Sequence, residues 1–305
     1  MKEWPDFFLI GAMKAGSTAL HHCLNKHPDI FMSKPKEPGF FSRDNRFSKG
    51  PIWYRDHFKG GAAGQVWGDS STCYSRSTIY PKTPTRIYNV NPDARFLYVV
   101  RDPVVRAFSH YKHRMDEAVI SGNPILSYKQ FLNDDKEVLM TGRYYFQIKP
   151  YYDLFGAENI YVCSFDDLVS ETHDTLTKIW DFLNVNPDFS GGAELPSKNE
   201  SGSSIVYFHT NKTIKTLRNF ALLKPLIDIM PNFFKEAGVS AIRSNLMKSQ
   251  SMKKITEKDR VGLSKPDDED LEFLSEYYRN DLADLHALTG LDVSQWESFR
   301  NRGSY

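Results

Sequence analysis

At 305 residues the chain has room for one large α/β domain or two ordinary ones, and with 40% hydrophobic and 14% aromatic residues it can bury a sizeable core. A formal net charge of +1 gives no bulk field to gather nucleic acid or an anionic membrane, so any anionic ligand must be held by local charge. Three cysteines, Cys23, Cys73 and Cys163, form no C-x-x-C pair and read as small buried thiols of a reducing compartment rather than a zinc site.

A first strand is expected at Phe7 to Gly11, short, apolar and closed by glycine. That start leaves no room for a signal peptide, and no run approaches the ~18 apolar residues of a membrane span. The expectation is a cytoplasmic protein. Ser17 to Lys26 reads as a helix with Ala19, Leu20, Cys23 and Leu24 on one face, ended by His27-Pro28-Asp29. Ile30 to Met32 is a short extended piece, and "SKPKEPGFFS" (33–42) is a loop. Further strands are expected at Val66 to Asp69, at "ARFLYVVRD" (94–102) and at "NIYVCSFDDL" (159–168). Helices are expected at Pro81 to Asn89, Val104 to Ala118 and Glu171 to Leu183.

This alternation predicts the fold class: α/β, with a P-loop-like central parallel sheet and helices on both faces. Residues 1–305 read as a single domain with its nucleotide-binding core at 7–185. The stretch 190–265 is rich in Ser, Asn and Lys, with about twice as many basic as acidic residues, and reads as a lid or acceptor region. From Asp267 to Gly290, Leu271, Leu274, Tyr278, Leu282 and Leu285 recur at helical spacing within a C-terminal helical segment (267–296).

The loop "GAMKAGST" (11–18) is nearly the phosphate-binding pattern G-x-x-x-x-G-K-[ST]. Serine stands where the lysine belongs, and Lys14 lies inside the loop instead. Gly11 and Gly16 frame a strand-to-helix turn that aims N–H groups at one point, and the helix N-terminus adds partial positive charge. A plain turn with a Ser17 cap is the bland alternative. The strand ending in Asp102 is the place for a magnesium ligand, but Arg101 precedes it and suits a second phosphate as a bidentate fork. Ser109, two turns into the next helix, could share that anion. Two anion sites at one sheet edge fit a nucleotide with phosphates on both the 5′ and 3′ sides of its ribose.

The pair "GAMKAGSTAL" and "YVVRDPVVRAFSHYKH", with "HPDI", "KEPGFF" (36–41) and "IYPKTPTRIYNVNPDARFLYVVRDP", resembles the sulfotransferase family, and within it the heparan sulfate and related Golgi enzymes and their bacterial relatives. The family's donor is 3′-phosphoadenosine 5′-phosphosulfate, PAPS. The resemblance covers residues 7 to 185 and, more loosely, the "YYRNDLADLHALTGLDVSQW" ending. It assigns Lys14, Ala15, Gly16, Ser17 and Thr18 to the 5′-phosphosulfate, and Arg101 and Ser109 to the 3′-phosphate. It makes Glu37 the general base, with Lys14 stabilising the leaving group and no metal required. Lys36 would keep Glu37 ionised, and partial burial by Phe40 and Phe41 would raise its pKa. His21 and His22 are alternative bases, and Asp69 is a candidate for acceptor binding, as are Lys34, Lys36 and Lys198. Where several polysaccharide-modifying relatives carry a lysine before Thr-Pro, this chain reads "GDSSTCYS" (68–75), which loosens any inference about the acceptor. The acceptor is a hydroxyl on a carbohydrate, lipid or small metabolite. The aromatics of "GPIWYRDHF" (50–58) and "RYYFQIKPYY" (143–152) could line its cleft or fill the core. A magnesium-dependent P-loop kinase or NTPase, or a silent nucleotide- or glycan-binding protein, are the competing readings.

Overall fold

The computed structural model describes residues 3–121, 123–191, 195 and 263–300. These fall into two compact units. The first comprises residues 1–108, 135–196 and 267–305, and the second comprises 109–134 and 197–266. Most of the expected lid region, including Lys198, lies outside the described residues.

In the first unit, strands β1 (Phe7–Gly11), β2 (Ile30–Met32), β3 (Val66–Ser70), β4 (Arg95–Val100) and β5 (Ile160–Ser164) form one sheet. Their order is β2-β3-β1-β4-β5, and every pairing is parallel. Helix α1 (Ser17–Lys26) follows β1. The short helices α2 (Asp44–Phe47) and α3 (Gly50–Arg55) precede β3, and α4 (Thr83–Tyr88) precedes β4. Helix α5 (Pro103–Ser121) begins in the first unit, and from Ser109 onward its residues belong to the second, which also holds α6 (Tyr128–Asp134). Helices α7 (Lys136–Thr141), α8 (Tyr144–Phe155), α9 (Phe165–Ser170), α10 (Thr172–Leu183), α11 (Asp268–Thr289) and α12 (Glu297–Arg300) complete the first unit.

Side chains alternate across the sheet, so each strand feeds two cores. Phe7, Leu9, Leu97, Val99 and Cys163 point to one face and pack with Leu20, Cys23 and Leu24 of α1, Leu168 of α9 and Ile179, Trp180 and Leu183 of α10. On the other face Phe8 stacks on Phe96, which meets Tyr151 and Phe155 of α8, while Tyr98 meets Tyr144. Helices therefore cover both faces, as expected. All three cysteines are buried and free.

One expected boundary moves. The strand read through residue 168 stops at Ser164, whose hydroxyl accepts the Asp166 N–H at 3.0 Å and caps α9. A Ser followed three residues later by an acid is a helix-start signal, and here it outweighs the β-branched run before it. The aromatic stretch 143–152 is mostly helix α8, with Tyr144 and Tyr151 wholly buried, so those two rings serve packing.

In the second unit Tyr111 of α5 packs on Tyr128 and Phe131 of α6, and its hydroxyl donates to the Leu126 carbonyl at 2.8 Å. Ser264 Oγ accepts the Tyr128 N–H at 2.6 Å.

Helix α8 has no side-chain cap of its own. Asp281, from the middle of α11, accepts the Tyr145 N–H at 2.9 Å and the Phe146 N–H at 3.1 Å, capping α8 from a distant part of the chain. Asp281→Ala would strand two donors at a buried helix end. It is expected to cost about 1–3 kcal/mol, read as a lower Tm or urea midpoint.

Candidate anion and transfer site

The carboxyl ends of β1, β3 and β4 meet where the strand order reverses about β1, the place where open parallel sheets bind ligands. The loop between β1 and α1 opens there. Gly16 stands just before α1 with φ 102°, no side chain caps the helix, and its first turn holds no acid. The Ser17 cap of the bland alternative is absent. Ser17 is instead the first residue of the helix and buried, while Thr18 is exposed. By contrast, Ser164 caps α9 and Asp267 closes a capping box on α11. A helix start without a side-chain cap is one that an anion can occupy.

A Cβ on Gly16 would come within 2.1 Å of the Phe165 ring, so the close approach and the left-handed φ both require glycine. The same ring carries the Arg101 guanidinium at 5.0 Å. Phe165, which the sequence reading placed inside a strand, is the shared floor of the first loop and of Arg101. Among the described residues Arg101 makes no ion pair, and its carbonyl accepts the Tyr144 hydroxyl at 2.7 Å. Asp102 is not its partner. Asp102 Oδ1 accepts the N–H groups of Val104 (2.9 Å) and Val105 (3.3 Å), and its Oδ2 accepts that of Ser298 (3.1 Å). A carboxylate so used starts α5 and is committed to N–H donors rather than to a cation. Ser109 lies in α5 within the second unit.

Only three non-glycine residues among those described have positive φ: Lys14 (67°), Glu37 (63°) and Asn184 (58°). Asn184 closes α10 in the usual left-handed manner. The other two are the residues on which the sequence reading put the chemistry. Left-handed backbone at lysine and glutamate carries a local cost that the surroundings must offset.

Glu37 lies beside the first loop. Its N–H donates to the Ser70 carbonyl at 3.0 Å, and its carbonyl accepts Arg46 Nη1 at 3.0 Å. Its Oε1 accepts the Thr72 hydroxyl at 3.2 Å. Lys36 Nζ reaches Glu37 Oε1 at 3.5 Å and Thr18 Oγ1 at 3.1 Å, so one ammonium bridges the carboxylate and the first turn of α1. The Glu37 side chain is 47% exposed, so about half of it is covered, but not by the two rings expected to do so. Phe40 and Phe41 turn instead into an aromatic cluster with Trp4, Phe47 and Tyr54.

Of the alternative bases, His22 is exposed. His21 is pushed down to about 4, first by burial and then by the Lys36 and His22 charges, and its Nδ1 is buried without a hydrogen-bond partner. Lys34 is exposed. Asp69 is fully buried, so its carboxylate is not presented at a surface for an acceptor. A cavity of about 650 Å³ lined by Arg55, Phe58, Lys59 and Trp67 lies where the chain enters β3, at the far end of that strand from Asp69 and Glu37.

A family profile described as Sulfotransferase domain matches residues 4–256. The chain belongs to the sulfotransferase family. Heparan sulfate glucosamine 3-O-sulfotransferase 5 of mouse and of human is 26% identical over 198 residues, covering 62% of this chain and 56% of the relative. Heparan sulfate glucosamine 3-O-sulfotransferase 3B1 of mouse is 29% identical over 189 residues, covering 60% of this chain and 47% of that one. The sulfotransferase thus spans about half the length of these curated relatives. A solved sulfotransferase from Alicyclobacillus acidocaldarius superposes with a TM-score of 0.64 over 96% of this chain and 98% of that one, at 24% identity, and so shares the fold.

Burial pushes the Asp69 carboxyl up to about 6, against hydrogen bonds from Tyr54, Tyr74 and Ser71 that pull it down. A carboxyl whose folded pKa lies above its unfolded value stabilises the fold fully below the unfolded value, and that contribution is lost as pH rises through the folded one. Relative to Asp69→Asn, the native sulfotransferase should lose about 3 kcal/mol of stability between about pH 4 and pH 6, read by urea unfolding at stepped pH. A flat difference across that window would contradict the raised value.

Proposed function

We propose that this sulfotransferase moves a sulfuryl group from PAPS to an acceptor hydroxyl, with Lys14 and Glu37 as its catalytic residues. The observation that carries the reading is the juxtaposition of an uncapped α1 N-terminus with the exposed Glu37 carboxylate, joined through Lys36, Lys14 and Glu37 both being held in left-handed backbone.

The residues present fit the co-substrate. The N–H groups of Gly16, Ser17 and Thr18, with the Ser17 and Thr18 hydroxyls, receive the 5′-phosphosulfate, while the Ala15 N–H is given to the Ala12 carbonyl at 3.1 Å and shapes the turn. Arg101 on its Phe165 floor receives the 3′-phosphate. The acceptor oxygen forms a bond to sulfur as the bond from sulfur to the bridging phosphate oxygen breaks. The released adenosine 3′,5′-bisphosphate keeps the electron pair. Lys14 stabilises the charge growing on that oxygen, and Glu37 takes the acceptor's proton. The reaction depends on positioning and charge, which the loop supplies before the substrates meet. The names of the curated relatives make a heparan-type polysaccharide the first acceptor to try.

With labelled PAPS and that polysaccharide, or with a panel of sugar, lipid and small-molecule alcohols, Lys14→Ala should lower transfer by about 10²–10⁴ with the fold intact. Glu37→Gln should lower it by about 10²–10⁴ while adenosine 3′,5′-bisphosphate still binds. Arg101→Ala should weaken adenosine 3′,5′-bisphosphate about tenfold or more and leave AMP, which lacks the 3′-phosphate, little changed. Full transfer by Lys14→Ala, or equal losses for both nucleotides in Arg101→Ala, would overturn the assignment.

A further inference from the structure

Asp69 is a fully buried carboxylate to which the transfer chemistry gives no task. Burying it costs free energy, and an apolar residue in its place would not. Three hydroxyls converge on it. Ser71 donates to Oδ1 at 2.7 Å, and Tyr54 and Tyr74 donate to Oδ2 at 2.6 and 2.7 Å. All four side chains are fully buried.

An ionised carboxylate only accepts hydrogen bonds, so it fixes the polarity of every hydroxyl that faces it. With its proton turned to Asp69, Ser71 Oγ can offer only lone pairs elsewhere, and there it accepts the Gly39 N–H at 3.0 Å. Tyr74, oriented in the same way, accepts the Phe41 N–H at 3.5 Å. Both N–H groups belong to the loop that carries Glu37. That loop has left-handed backbone at Glu37 and at Gly39, and Arg46 holds the carbonyls of Glu37 and Pro38. Backbone of this kind persists only where its surroundings over-determine it.

We infer that Asp69 is a positioning residue for the transfer reaction: through the hydroxyls of Ser71 and Tyr74 it pins the 37–41 loop and sets where the Glu37 carboxylate stands. The inference rests on Glu37 being the proton acceptor. Asp69→Asn keeps the shape but replaces one acceptor with a donor. Either Ser71 or the tyrosine pair must then turn its proton, and a loop N–H loses its partner.

The test is a double-mutant cycle read on release of adenosine 3′,5′-bisphosphate from PAPS, with water as acceptor, and on transfer to an alcohol. Ser71→Ala and Asp69→Asn should each lower kcat by about ten- to a hundredfold. They should leave the Kd for adenosine 3′,5′-bisphosphate within about twofold, and in a Glu37→Gln background should change the residual rate by less than about twofold. Hydrogen exchange at the Gly39 amide should quicken in both variants while that of the β1 and β4 amides stays slow. Tyr74→Phe, which removes only a hydroxyl, repeats the test at Phe41 should either variant fail to fold. Unchanged kcat in the single variants, or equal fractional losses with and without Glu37, would overturn the inference by reducing Asp69 to a support of the core. If Glu37→Gln alone turned over as the native protein does, the reading of Glu37 as the base would fall first, and the inference with it.

Discussion

The arrangement depends on the start of α1, where the helix leaves the central strand with its first-turn N–H groups uncapped. A helix end needs partners for those groups, and elsewhere in the chain Ser164, Asp267 and Asp281 supply them. At α1 no side chain does so. The rest of the site follows from that opening. Gly16 has no side chain because Phe165 lies against it, Phe165 in turn seats Arg101, and Lys36 reaches from Thr18 to Glu37. Each of these groups comes from a different strand-to-helix connection, and the parallel order about β1 brings them to one edge.

The charges of the site are balanced within the chain. Asp102 spends both oxygens on N–H donors and leaves Arg101 without a carboxylate among the described residues. Asp69 lies behind the Glu37 loop and is answered by hydroxyls rather than by a cation. Thr72 and Lys36 both face Glu37 Oε1. A hydroxyl and an exposed ammonium can be displaced by substrate without stranding a buried charge, whereas a buried arginine partner could not.

Much of this was legible in the sequence. Phe7–Gly11, Ser17–Lys26 and Ile30–Met32 lie where periodicity, glycine and His-Pro-Asp punctuation put them. The loop lysine and Arg101 could be singled out because strand-to-helix boundaries set which residues reach the carboxyl edge, whereas Glu37 was singled out by the family resemblance. What escaped was tertiary. The orientation of Phe40 and Phe41, and so the exposure of Glu37, is decided by Trp4 and Tyr54, which no local pattern connects to the loop. The end of β5 was misplaced because the β-forming run Ile160–Ser164 leads into a phenylalanine, although the Ser164–Asp167 spacing carried the opposite signal. Asp69 read as a candidate for acceptor binding, and the structure buries it. Its burial depends on two tyrosines from separate segments, Tyr54 and Tyr74.

These misses share a cause with the left-handed backbone at Lys14 and Glu37. Neither residue favours that region, so no propensity marks it. It exists because contacts made after the chain has folded outweigh the local cost: the Ser70 carbonyl, Arg46 and the Ser71 and Tyr74 hydroxyls for the Glu37 loop, and the turn between β1 and α1 for Lys14. Residue identity at these two positions is read directly from the sequence. Their conformation is not, because packing selects it. A change that spares both residues but loosens the packing behind them can therefore remove the chemistry while leaving the sequence motifs intact.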